Sequence, residues 1–282
     1  MKQAVQRAPG SAPAGEPALK VLVADAAPVT RRVLCAVVST VLPNATVIEA
    51  VSGSHASKAL MDASVDIAFV DIDMPDMSGA EAVARARESG ARPFVILMAQ
   101  EAQAGWESFS REVDAYEFLE KPVEDEDVRQ IVASYRRMQQ PCRVLVADDS
   151  KTFRHLIRKV LAQSRFGIGV DVVDNGELAV SLVKQNAYDV IFLDYDMPGL
   201  DGLETACLLQ ETCPTARVVM VSASADASIE RAARYFGAVD FLTKPFYQTE
   251  IDRALHLAFE LPLPSLLDTP APRADEPRSA TG

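Results

Sequence analysis

Four short apolar runs recur in the same order in each half of the chain. KVLVA at Lys20–Ala24, IAFVD ending at Asp71, FVILMA, and a run ending at Lys121-Pro122 make up the first set. RVLVA at Arg143–Ala147, VIFLD ending at Asp194, RVVMVSA, and a run ending at Lys244-Pro245 make up the second. Between them the apolar spacing changes to that of a helix, as in Val29, Val33, Val37 and Val41, or Phe153, Leu156, Ile157 and Val160. Strands that read as continuous Val/Ile/Leu runs and alternate with helices predict a parallel sheet covered on both faces. The landmarks keep register: Asp25 and Asp148, Asp71 and Asp194, Phe118 and Phe241, and Lys121 and Lys244 are each 123 positions apart. The expected fold is therefore a duplicated α/β domain with a doubly wound sheet, spanning 19–140 and 141–260. The flanks 1–18 and 261–282 are rich in Ala and Pro and are expected to be disordered.

Open parallel sheets bind ligands beyond the carboxyl ends of their strands. In the second copy Asp148, Asp149, Asp194, Ser222 and Lys244 all fall there. Three carboxylates brought together repel one another unless a cation neutralises them. A hard divalent ion with oxygen ligands and retained waters, Mg²⁺, suits so few protein ligands beside a phosphate. Lys244 adds a fixed positive charge and Ser222 a hydroxyl donor. Such a set lets a carboxylate act as nucleophile toward phosphorus.

The second copy resembles the receiver domain of bacterial two-component response regulators, on VLVADDS, IFLDYDMPGLDG, VVMVSAS and GAVDFLTKPF. The resemblance implies a flavodoxin-like five-stranded (βα)5 fold, with Asp194 as phospho-acceptor and metal ligand. It implies that Asp149 binds Mg²⁺ directly, that Asp148 acts through water, and that the backbone carbonyl of Asp196 is a further ligand. Ser222 would be drawn toward the phosphoryl group, Lys244 would ion-pair, and the Phe241 ring would change exposure.

The first copy keeps Asp25, Asp71, Phe118 and Lys121 but departs at two places. VADDS becomes VADAA, which puts Ala26 where the direct metal ligand belongs. The hydroxyl position falls on Ala99 counting back from Lys121, or on Met98 counting forward from Asp71, and neither side chain can donate a hydrogen bond. This copy reads as a pseudo-receiver, with slow phosphorylation at Asp71 as the alternative.

The net charge of −12, divided as −7 over 19–140 and −5 over 141–260, argues against a nucleic-acid partner. No apolar run reaches the ~20 residues of a membrane span, and Cys35, Cys142, Cys207 and Cys213 show no metal-site spacing and read as free thiols. A cytoplasmic location is expected. The DxD pair of haloacid-dehalogenase-type phosphatases is set aside, because here the acidic pair comes first and Met-Pro follows the central Asp. His155 lacks the acidic neighbour and proline of a kinase phosphorylation box. His55 and His256 read as ordinary helix or loop positions, and Trp106, the one tryptophan, as a core or interface residue.

The whole reads as a non-enzymatic switch whose only chemistry is its own phosphorylation and dephosphorylation. A sensor histidine kinase or histidine phosphotransfer protein would phosphorylate Asp194 with Mg²⁺, and the altered surface would engage an unidentified downstream protein. The first copy would serve for docking, localisation or homodimerisation. The alternatives are a phosphate shuttle or sink, the remnant of a tandem-receiver diguanylate cyclase, and a scaffold indifferent to phosphate. No output module is expected in the tail.

Overall fold

The computed structural model describes residues 18–62, 64–102 and 105–268. In the first half, strands β1 (Lys20–Ala24), β2 (Thr46–Ala50), β3 (Ile67–Asp71), β4 (Phe94–Ala99) and β5 (Glu117–Glu120) alternate with five helices. These are α1 (Pro28–Val41), α2 (Gly53–Asp62), α3 (Gly79–Glu88), α4 (Trp106–Glu112) and α5 (Asp125–Gln139). The second half repeats the order with β6 (Cys142–Ala147), β7 (Ile168–Val173), β8 (Val190–Asp194), β9 (Arg217–Ser222) and β10 (Asp240–Thr243). Its helices are α6 (Lys151–Leu161), α7 (Gly176–Val183), α8 (Gly202–Thr212), α9 (Ala227–Tyr235) and α10 (Gln248–Ala258), followed by a single turn, α11 (Ser265–Asp268).

Each half forms its own five-stranded parallel sheet, ordered β2-β1-β3-β4-β5 and β7-β6-β8-β9-β10. The central strands β3 and β8 are buried along their whole length, which is why they read as unbroken apolar runs. The chain divides into two compact units at Val128/Arg129, inside α5. Among the described residues no helix is long and apolar enough to cross a membrane.

Two details are not legible in the spacing of apolar residues. In α1 the valine row does not form the core face: Val29 is 75% and Val33 52% exposed, while Leu34 and Val38 are buried. Both rows satisfy helical spacing, and periodicity alone does not say which one meets the sheet. The C-terminal flank also begins as structure. Leu261 N donates to the His256 carbonyl, and Leu266 of α11 is buried. Residues 1–17 and 269–282, the rest of the two flanks, lie outside the described residues.

Candidate functional site

The carboxyl ends of β6, β8, β9 and β10 bring the expected residues of the second unit together. Lys244 Nζ stands 2.6 Å from Asp148 Oδ2 and 2.9 Å from Asp194 Oδ2. Asp148 and Asp194 are buried and Asp149 is exposed, and all three can place a carboxylate oxygen within 4.8 Å of one another. Burial, helped by repulsion from Asp148, pushes Asp194 up to about 6, although Lys244 pulls against it. Three carboxylates against one lysine leave the pocket short of positive charge. That imbalance and the clustering of oxygen donors fit a hard divalent cation such as Mg²⁺. Asp196 follows two residues after Asp194 in the turn and is exposed.

Local structure explains the repeated motif. After β8 the chain turns through Met197-Pro198 and enters α8 at Asp201, whose carboxylate caps the Glu204 amide at 2.8 Å while Glu204 reaches back to the Asp201 amide. The next residue, Gly202, donates its amide to the Tyr195 carbonyl at 2.9 Å, and a Cβ there would run into the Asp194 backbone. The first unit repeats the device with Ser78, Glu81 and Gly79 packed on Asp71. The glycine is required by close approach of α8 or α3 to the strand that carries the aspartate.

Ser222 is fully buried at the end of β9, and its Oγ accepts the Ser224 amide at 3.1 Å. Phe241 is partly buried and packs on the core beneath α7 and α8. Two further contacts were not read from the sequence. Lys244 Nζ lies 4.1 Å from the centroid of the Phe153 ring, and Arg154 donates to the Asp148 carbonyl. Phe153 was legible only as one member of an apolar row, because a ring over a lysine 91 positions away leaves no local signal.

The first unit assembles a smaller set. Lys121 Nζ stands 2.7 Å from Asp25 Oδ2 and 2.8 Å from Asp71 Oδ2, and all three side chains are buried. Burial raises Asp71, against the hydrogen bond from Lys121. Burial would depress Lys121, but its hydrogen bonds to Asp25 and Asp71 outweigh that and raise it. Ala26 supplies no third carboxylate, and among the described residues the metal-capable acidic cluster is the one in the second unit. The register decides between Met98 and Ala99. Asp71 pairs with Met98 as Asp194 pairs with Val221, and Glu120 pairs with Ala99 as Thr243 pairs with Ser222. Lys121 N also donates to the Ala99 carbonyl at 2.8 Å, as Lys244 N does to Ser222. Ala99 is therefore the counterpart of Ser222.

The family model for the response regulator receiver domain matches residues 21–133 and again 144–256. A probable transcriptional regulatory protein NarL of Mycobacterium tuberculosis is 36% identical over 113 residues, 40% of this chain and 52% of that one. The chemotaxis protein CheY of Bacillus subtilis is 31% identical over 114 residues, 40% of this chain and 94% of its own length. The match thus spans about half the length of the NarL and TctD regulators and nearly all of CheY. A crystal structure described as a putative two-component system response regulator/GGDEF domain protein shares the fold, with a TM-score of 0.60 at 23% identity over 86% of this chain and 98% of that one.

Proposed function

This chain belongs to the response regulator receiver family, with the domain present twice, and on that premise we propose that its second unit is a phosphorylation switch centred on Asp194. The observation that carries the reading is the cluster of Asp148, Asp149 and Asp194 around Lys244, which the first unit lacks. A carboxylate oxygen of Asp194 attacks the phosphorus of a phosphohistidine on a sensor kinase or phosphotransfer protein. The new O–P bond forms as the P–N bond breaks, and its electron pair stays on the donor imidazole nitrogen. Asp148, Asp149, Asp194 and the Asp196 carbonyl would hold Mg²⁺, which when bound neutralises charge on the phosphoryl oxygens. Lys244 stands beside Asp194 and offsets the charge that arrives. Ser222, released from its turn, donates to a phosphoryl oxygen and links the site to β10 and Phe241.

The first unit is a pseudo-receiver in this reading. Asp25 and Asp71 share the one amine of Lys121 in a buried triad, and Ala26 and Ala99 remove the metal ligand and the hydroxyl. It serves as a docking, localisation or dimerisation module in a cytoplasmic signalling chain whose output is contact with another protein. The test is intact mass after incubation with acetyl phosphate and Mg²⁺. One phosphoryl group is expected on wild type and on Asp71→Ala, and none on Asp194→Ala. Two groups on wild type, or loss of one in Asp71→Ala, would make both units acceptors and sink the pseudo-receiver reading.

A further inference from the structure

Trp106 opens α4 of the first unit and lies against Phe118 of β5, with ring centroids 4.5 Å apart and planes 33° from parallel. Phe118 is buried there, only 6% exposed. It sits three residues before Lys121, whose amine joins Asp25 and Asp71. The strand carrying Phe118 thus ends at the lysine that pairs with Asp71, and the ring it carries reaches α4. The second unit has the same strand without the clamp. Counting back from the paired Phe118 and Phe241, Ile229 stands where Trp106 stands, and Phe241 is only partly buried.

We propose that Trp106 locks Phe118 inward, so that α4 and β5 of the first unit hold one conformation whatever happens at Asp71. Two stacked rings bury a large apolar area with a preferred geometry, and an outward rotation of Phe118 would give up that contact and leave the indole exposed. Isoleucine at the same place in the sequence offers no aromatic face, so the second unit keeps the mobility that a switch needs. Local opening draws on segments with few buried contacts, and the stack takes this segment out of that class. The inference deepens the pseudo-receiver reading: the first unit lacks the trigger chemistry and is also mechanically closed to it.

The test is hydrogen exchange of the full chain, read by mass spectrometry over residues 107–120. Trp106→Ile should speed exchange there about fivefold, the worth of one aromatic pair, while the second unit stays unchanged. Trp106→Phe, which keeps a stacked ring, should stay near wild type. Unchanged exchange in Trp106→Ile would overturn the lock. If Trp106→Ile unfolds the whole first unit, the Phe variant decides: wild-type protection supports the lock, and fivefold loss with a ring still present overturns it. Trp106 is the chain's only tryptophan, so its emission reports on this unit alone. Phosphorylation at Asp71 seen by mass, with slow exchange and unshifted emission, would sink the pseudo-receiver reading and keep the lock. An unlabelled Asp71 with Trp106→Ile exchanging like wild type would do the reverse.

Discussion

The amine of Lys121 stands 2.8 Å from the Asp71 carboxylate, and neither side chain is more than 8% exposed. In the second unit Lys244 stands 2.9 Å from Asp194, but the lysine is 18% exposed and a third carboxylate lies beside it. Like pairs thus sit in unlike charge balances, one closed and one open to a cation.

Removing Lys121 leaves Asp25 and Asp71 buried together without a counter-charge. Lys121→Met should destabilise the first unit by about 3–5 kcal/mol, the usual cost of breaking a buried pair from one side. Urea unfolding followed by Trp106 emission measures this unit directly. A loss under about 1 kcal/mol would mean that the two carboxylates take up protons or water freely, and that the triad is not what holds these strand ends.

Asp149→Ala takes from the second unit the carboxylate that Ala26 replaces in the first. Labelling of Asp194 by acetyl phosphate should slow by at least about 10²-fold, since charge neutralisation at a phosphoryl group is worth several kcal/mol. The residual rate should also lose most of its dependence on added Mg²⁺, and chelation with EDTA should bring wild type down to the same level. A variant that labels at the wild-type rate would remove Asp149 from the site.

His256 of α10 is 2% exposed, and its Nδ1 lies 2.6 Å from the Asp252 carbonyl, which can only accept, so Nδ1 carries the proton. The ring edge meets Phe166 at 5.5 Å. Burial holds this histidine below its ordinary value, against the Asp252 hydrogen bond and with help from Arg165. Below about pH 6.5 the unfolded chain binds a proton that the folded chain refuses, so stability falls as pH falls. Compared with His256→Leu, wild type should lose up to about 1.4 kcal/mol more per pH unit in that window. Parallel pH profiles in denaturant titrations of the two proteins would show that His256 is not the group responsible.

Gly202→Ala places a methyl against the Asp194 backbone, which has no side-chain freedom with which to yield. The expected cost is about 1–3 kcal/mol, with slower labelling because the acceptor strand is displaced. Gly169→Ala is the matched control. The nearest atom to its Cβ is the Cys142 carbonyl at 3.9 Å, and alanine there should be neutral or stabilise by about 0.5–1 kcal/mol. Equal denaturation midpoints for both variants would refute the close approach of α8 to β8.

On α1, Leu34→Ala should cost about 2–5 kcal/mol and Val33→Ala less than about 0.5 kcal/mol. The reverse order would put the valine row in the core and contradict the observed facing of the helix.

By itself the sequence determined the duplication, the parallel sheets, and the placing of Asp25, Asp71, Asp148, Asp149, Asp194, Ser222, Lys121 and Lys244 at strand ends. Those features are written locally, in strands buried on both faces and in a helix entry that needs Gly202 or Gly79. The tertiary structure decided what depends on pairing between distant segments. Strand register chose Ala99 over Met98, because counting along a loop of uneven length cannot say which residue faces which neighbour. Packing chose Leu34 and Val38 over the valine row, since two apolar stripes of the same period differ only in which one meets the sheet. The ring under Lys244 and the indole on Phe118 are meetings of segments far apart in the chain, and only the folded sheet brings them within reach.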